Sequence, residues 1–116
     1  MQLVSDGQSP HVILISPRAG VHEMTGAEDL QKYLEKMSGA RLPIVTDREP
    51  DRPAIVLGTP ETVGDIHKWE EAKVLSLAQL GREGYTIKSI GSDLAIAANT
   101  GGGAMYGVYG LSLIHI

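Results

Sequence analysis

The 116-residue chain has no cysteine and no phenylalanine, and only one tryptophan and four tyrosines. Without cysteine it can build neither a disulfide scaffold nor a thiolate zinc site. Basic charge is also sparse. Ten Lys and Arg face fourteen Asp and Glu, a formal net charge of −4. That balance argues against a nucleic-acid partner and against an anionic membrane surface, both of which need a positive field. No apolar run reaches the roughly 18 residues that span a bilayer. Met1 to Gly7 has no basic start followed by an apolar stretch, so it does not read as a secretory signal. Localisation stays open between the cytoplasm and export from a longer precursor. The chain has no repeat and no low-complexity tract. It is too short for a (β/α)8 barrel, which needs about 250 residues. What is present suits one domain, which at this size can bury roughly 65% of its unfolded surface.

His11-Val12-Ile13-Leu14-Ile15-Ser16 is continuously apolar at its centre and bounded by Pro10 and Pro17. It reads as a strand covered on both faces. Thr25-Gly26-Ala27-Glu28 has the spacing of a capping box. Ala27, Leu30, Leu34 and Met37 then recur at helical spacing, widened by Tyr33, and Gly39 supplies a left-handed stop. This predicts an amphipathic helix from about Thr25 to Ser38. Leu42 to Asp47 reads as a short strand that Pro43 confines to a sheet edge or to the start of pairing. Asp47 to Pro53 is a charged loop. Ala54-Ile55-Val56-Leu57-Gly58 is a further strand. Residues 60 to 81 look helical, with Ile66, Trp69, Val74, Leu77 and Leu80 as the expected buried positions. Gly84 to Ile90 and Asp93 to Ala98 form the best hairpin, turned at Gly91-Ser92 with a positive first φ. After the break at Asn99 to Gly103, Ala104 to Leu111 reads as a closing helix. Gly103 and Gly107, one turn apart, would let it approach a sheet closely. The expected fold class is α/β (α+β): a mixed β-sheet with helices packed on it.

The residues themselves offer little catalytic chemistry. His22-Glu23-Met24-Thr25-Gly26 begins like a zinc-protease helix, but position 26 is glycine where the second histidine ligand should stand. No metal site is expected there. Thr100-Gly101-Gly102-Gly103 sits between a strand and a helix, as phosphate cradles do. It lacks a following Lys-Ser or Lys-Thr pair and misses the dinucleotide spacing, so tight turning explains the glycines without a cofactor. The carboxylates at Glu28-Asp29, Asp47-Glu49-Asp51 and Glu70-Glu71 read as solvated faces. Glycoside hydrolysis needs two carboxyls roughly 5 to 10 Å apart across a cleft. No serine has a nucleophile-elbow context. Trp69, Tyr85, Tyr106 and Tyr109 could stack on a sugar ring or serve an interface, although single aromatics more often pack in cores.

Leu80-Gly81-Arg82-Glu83-Gly84-Tyr85-Thr86-Ile87-Lys88-Ser89 resembles a segment of the N-terminal domain of bacterial α-glucuronidases. Ile96-Ala97-Ala98-Asn99-Thr100, with Gly103, Tyr106-Gly107-Val108 and Leu111, resembles that domain's strand-to-helix exit. Asp29-Leu30-Gln31-Lys32-Tyr33-Leu34, Ser38-Gly39-Ala40 and Leu42-Pro43-Ile44 resemble a wider set. That set is the domains preceding barrels in several glycosidase families, β-N-acetylhexosaminidases included. Ile55-Val56-Leu57-Gly58-Thr59-Pro60 fits both. The likeness runs from about His11 to Leu111.

The resemblance implies a non-catalytic N-terminal accessory domain over residues 1–111, preceding a catalytic (β/α)8 barrel that is absent from the chain. The α-glucuronidases it resembles remove (4-O-methyl)glucuronic acid from xylan-derived oligosaccharides. Their acid and base carboxylates come from the barrel, so none maps onto a position here. The partner implied is the missing barrel, with an oligosaccharide as a further one and no cofactor. Ser112-Leu113-Ile114-His115-Ile116 departs from the family pattern and reads as a doubtful tail, consistent with truncation or read-through. The alternatives are the N-terminal domain of a β-N-acetylhexosaminidase-like or other barrel glycosidase, and a free-standing carbohydrate-binding module. A nucleotide-binding domain, with an anion on Gly101 to Gly103, is a third.

Overall fold

A computed structural model of the chain describes residues 11–47, 52–73, 75, 77 and 84–114. The element order is β1 (Val12–Leu14), α1 (Val21–Ser38), β2 (Ile44–Val45), β3 (Ala54–Gly58), α2 (Gly64–Glu71), β4 (Tyr85–Ile90), β5 (Asp93–Ala98) and α3 (Gly101–Ile114). The strands form one five-stranded sheet in the order β2-β1-β3-β5-β4. β2, β1, β3 and β5 run parallel, and only β4 is antiparallel, paired with β5. This is the mixed sheet with packed helices that the residue pattern predicts.

Parallel strands need crossovers, and crossovers put helices on the sheet faces. The side chains alternate accordingly. Ile13, Ile15, Ile55, Leu57, Leu94, Ile96 and Ala98 point to one face, where Ala27, Leu30 and Leu34 of α1 and Ala104 and Val108 of α3 meet them. Val12, Leu14, Ala54, Val56, Ala95 and Ala97 point to the other, against Val63, Ile66, Leu75 and Leu77. Two cores thus sandwich one sheet. Fully burying an Ile, Leu or Val side chain contributes roughly 1.5–3 kcal/mol, and β3 does so on both faces.

Polar tethers fix the ends. Asp93 Oδ1 accepts from the Ala54 N–H at 3.0 Å, holding the hairpin against the first residue of β3. His11 Nε2 lies 2.9 Å from the Ser92 carbonyl, so this ring nitrogen carries the proton and donates it. Gly91 has φ +60 and no positive φ follows at Ser92, the pattern of a type II′ hairpin turn. The second strand of the hairpin keeps its predicted boundaries and the first begins one residue later than predicted, at Tyr85.

Several elements differ from expectation. α1 starts at Val21, not Thr25, and Gly20 takes the N-cap position without a side-chain cap. The Thr25–Glu28 spacing falls inside the helix, where the same i, i+3 pattern arises without capping anything. Ser16 Oγ accepts from the Arg18 N–H at 2.9 Å, turning the chain early enough for one more helical turn. The helix does end at Gly39, with φ +80 and its N–H donating to the Glu35 carbonyl. α2 covers only Gly64–Glu71 of the expected 60–81. Its chain then turns through Lys73, at φ +61. Ile66 and Leu77 are buried and Trp69 partly so, as expected. Val74 and Leu80 lie outside the described residues. α3 starts at Gly101 because Thr100 caps it, its Oγ1 accepting from the Gly103 N–H at 3.0 Å. β2 is a two-residue edge strand, and the Pro43 carbonyl accepts from the Ile13 N–H at 2.9 Å. Proline contributes its acceptor here and has no donor to lose.

Glycines set how closely α3 approaches. A β-carbon on Gly107 would stand 2.6 Å from Ile96 Cγ2 and 3.4 Å from Tyr85 Cβ. A β-carbon on Gly26 would stand 3.3 Å from the Met105 Cα, where α1 meets α3. Gly107→Ala is therefore expected to destabilise the fold by about 1–3 kcal/mol through overpacking. Gly64→Ala, with no neighbouring atom within 4 Å, should instead stabilise it by up to about 1 kcal/mol. Urea unfolding of both variants checks the opposite signs.

Candidate functional site

Open α/β sheets collect ligands outside the carboxyl ends of their strands, where successive connections leave to opposite faces. In this chain β1 exits to α1 on one face and β3 exits to α2 on the other. Two hollows open at that edge. One, of about 190 Å³, is lined by Ser16, Asp47, Thr62 and Asp65 among others. The other, of about 460 Å³, lies between Pro60, Glu61, His67, Glu70 and Asn99. His67 Nε2 stands 2.9 Å from Glu71 Oε1, one turn further along α2. Asn99 is turned to structural use, its amide donating to the Leu77 carbonyl at 2.8 Å.

Glu23 is the unusual group at this edge. It lies in the first turn of α1 and is only 3% exposed. The Thr62 hydroxyl donates to Glu23 Oε2 at 3.2 Å, and among the described residues no cation pairs with it. Its carboxyl packs between two glycines at strand exits. β-carbons there would meet Oε2 at 3.3 Å from Gly58 and Oε1 at 3.4 Å from Gly101. Two influences oppose each other. The amino end of α3 favours a negative charge by about 0.3–1 kcal/mol. Burying a carboxylate without an ion partner costs several kcal/mol. Burial wins: it pushes the Glu23 carboxyl above its ordinary 4.5, and the Thr62 hydrogen bond only partly pulls it back. The sequence pattern marks Glu23 as an ordinary first-turn acid. Its burial follows from strand exits far away in sequence, which no local spacing records.

This arrangement bears on the chemistry considered from sequence. Position 26, where a zinc helix would carry its second histidine, is pressed against the Met105 backbone, and His22 is exposed. Among the described residues no group of three or more His, Cys, Asp or Glu is placed to hold a metal ion. At the Gly101–Gly103 turn, Thr100 already takes the Gly103 and Ala104 N–H groups, and the Glu23 carboxyl lies beside Gly101. A buried acid there is a poor neighbour for a phosphate.

The four aromatic candidates separate into two places. Trp69 is half-buried against the α2-side core. Tyr85, Tyr106 and Tyr109 gather at α3, all about two-fifths exposed. Tyr85 lies along Gly107 and Gly110, with its Cζ 2.7 Å from where a Gly110 β-carbon would stand. Tyr109 donates its hydroxyl proton to Asp29 Oδ2 of α1 at 3.0 Å. That hydrogen bond, with burial and the Asp29 charge, raises the Tyr109 phenol above its ordinary 10. Alkaline titration followed by phenolate absorbance should therefore show Tyr109 ionising late, and Asp29→Asn should bring it back toward the ordinary range.

The N-terminus model of glycosyl hydrolase family 67 matches residues 5–111. Two solved structures share the fold. One is a family GH115 4-O-methyl-α-glucuronidase with specificity for decorated arabinogalactans, at 18% identity and TM-score 0.72 over 96% of this chain. The other is a GH138 enzyme targeting pectin rhamnogalacturonan II, at 17% identity and TM-score 0.62 over 90% of this chain. The chain spans 14% and 13% of their respective lengths. No curated protein matches it. With one family matched from before β1 well into α3, and with that fold recurring in the two structures, the chain belongs to the glycosyl hydrolase family 67 N-terminus family.

Proposed function

We propose that residues 1–111 are the non-catalytic accessory domain of a larger glycoside hydrolase of α-glucuronidase type, acting on (4-O-methyl)glucuronoxylan oligosaccharides. The family match over residues 5–111 carries this reading. The chemistry of the chain supports it. The Glu23 carboxyl is enclosed between Gly58 and Gly101 and accepts from Thr62, and the candidate acids Glu28, Asp29, Glu70 and Glu71 lie on helices. The domain's work is then mechanical: it packs beside a catalytic barrel and frames the mouth of its cleft.

Tyr85, Tyr106 and Tyr109 suit such a contact. Each joins an apolar ring to a polar tip, the type enriched at interfaces. All three lie on the α3 side, whereas Trp69 packs into the opposite core. We assign these tyrosines to contact with the barrel rather than to a free-standing sugar platform. A parent of another barrel-glycosidase class stands as the second reading, favoured by the GH138 structure that shares the fold.

Two measurements test the proposal. The purified chain, incubated with aldouronic acid oligosaccharides, should release no uronic acid; sustained release would refute a non-catalytic role. Trp69 fluorescence should stay unchanged on titration with xylo-oligosaccharides to millimolar concentration. A saturable change would favour the binding-module alternative.

A further inference from the structure

The smaller hollow at the carboxyl edge has no part in the accessory role. It holds about 190 Å³, and its walls come from three strand exits: Ser16 and Pro17 after β1, Thr46 and Asp47 after β2, and Val63 and Asp65 after β3. β1 and β3 are neighbours in the sheet, and their connections leave to opposite faces. The hollow thus stands where an open α/β sheet parts to admit a ligand. Ser16 shows what kind of group is called for. It is 4% exposed, and its Oγ accepts from the Arg18 N–H at 2.9 Å. A hydroxyl also has a proton to give. Among the described residues no group accepts it, although buried polar groups are nearly always paired.

The walls narrow the class of ligand. The Ser16 proton needs an acceptor, and a metal cation in the hollow would leave it unpaired. Asp47 and Asp65 bring negative charge, which repels an anion, and their oxygens take donors. A neutral hydroxyl is donor and acceptor at once. Pro17 and Val63 add an apolar wall against which C–H groups pack. At about 30 Å³ per water molecule the space equals roughly six waters. That is the room of one small polyol or sugar ring, and too little for an oligosaccharide chain.

We propose that this hollow binds a neutral polyhydroxylated small molecule, a single sugar ring or polyol, with Ser16 donating to one of its hydroxyl oxygens and Asp47 accepting from another. Trp69 packs against the α2-side core and does not line the hollow, so its fluorescence is silent to occupancy. The site stands apart from the accessory-domain reading, which supplies only the probe, D-xylose. That reading fails by uronic acid release, whereas the titration below reads binding alone.

Amide NMR titration of the full chain with D-xylose, to about 100 mM, tests the assignment. The amides of Ser16, Thr46, Asp47 and Gly64, all on the walls of the hollow, should shift together and saturably. D-Glucuronate and calcium chloride, titrated separately, should bind there at least about tenfold more weakly than xylose. Asp47 is exposed, so Asp47→Ala leaves the core intact. It should weaken xylose about threefold to tenfold, the loss of one hydrogen bond. Ser16→Ala should weaken xylose by a similar factor. The proposal is overturned if these amides do not shift saturably with xylose, or if glucuronate or calcium binds as tightly. It is equally overturned if Asp47→Ala binds xylose as the natural chain does.

Discussion

The structure depends on a parallel sheet that must be dry on both faces. Every residue of β1, β3 and β5 is buried. Such strands leave no face for water, so the chain must supply a helix layer on each side. Among the described residues it supplies α1 and α3 together on one side, and α2 with Leu75 and Leu77 on the other. The α2 side of the sheet presents Ala54, Ala95 and Ala97 beside Val12, Leu14 and Val56.

Where two helices share one face, their spacing becomes the next constraint. α1 and α3 approach through Gly26 and Met105, while α3 reaches the sheet through Gly107 over Ile96. Those glycines cost helix propensity, and packing offsets it. The same compression brings the amino ends of α1 and α3 together at the strand exits and encloses Glu23 between them. The buried carboxyl thus follows from the way the helices are seated and needs no local signal of its own.

That difference explains what could be read from residue order. The hairpin from Tyr85 to Ala98 is legible because alternation and a Gly-Ser turn are local. β3 is legible because four apolar residues end at Gly58-Thr59-Pro60. The C-terminal end of α1 is legible because Gly39 is the residue a left-handed stop demands. The start of α1 is not, since Gly20 caps it with no side chain and Thr25–Glu28 offers a competing pattern. The end of α2 is not, because Lys73 takes a positive φ that lysine does not advertise. Glu23 as an enclosed acid was beyond reach for a stronger reason: its neighbours Gly58, Thr62 and Gly101 lie 35 to 78 positions away.

The two borders of the sheet are unequal. β2 offers a pairing length of two residues, preceded by Pro43 and followed by Thr46 and Asp47. β4 is six residues long and carries Lys88 on its exposed side. A border too short to template another strand, and a longer one marked by a lysine, are both devices that discourage intermolecular strand addition. A unit protected in this way can stand beside copies of itself at high concentration without its sheet borders seeding aggregates.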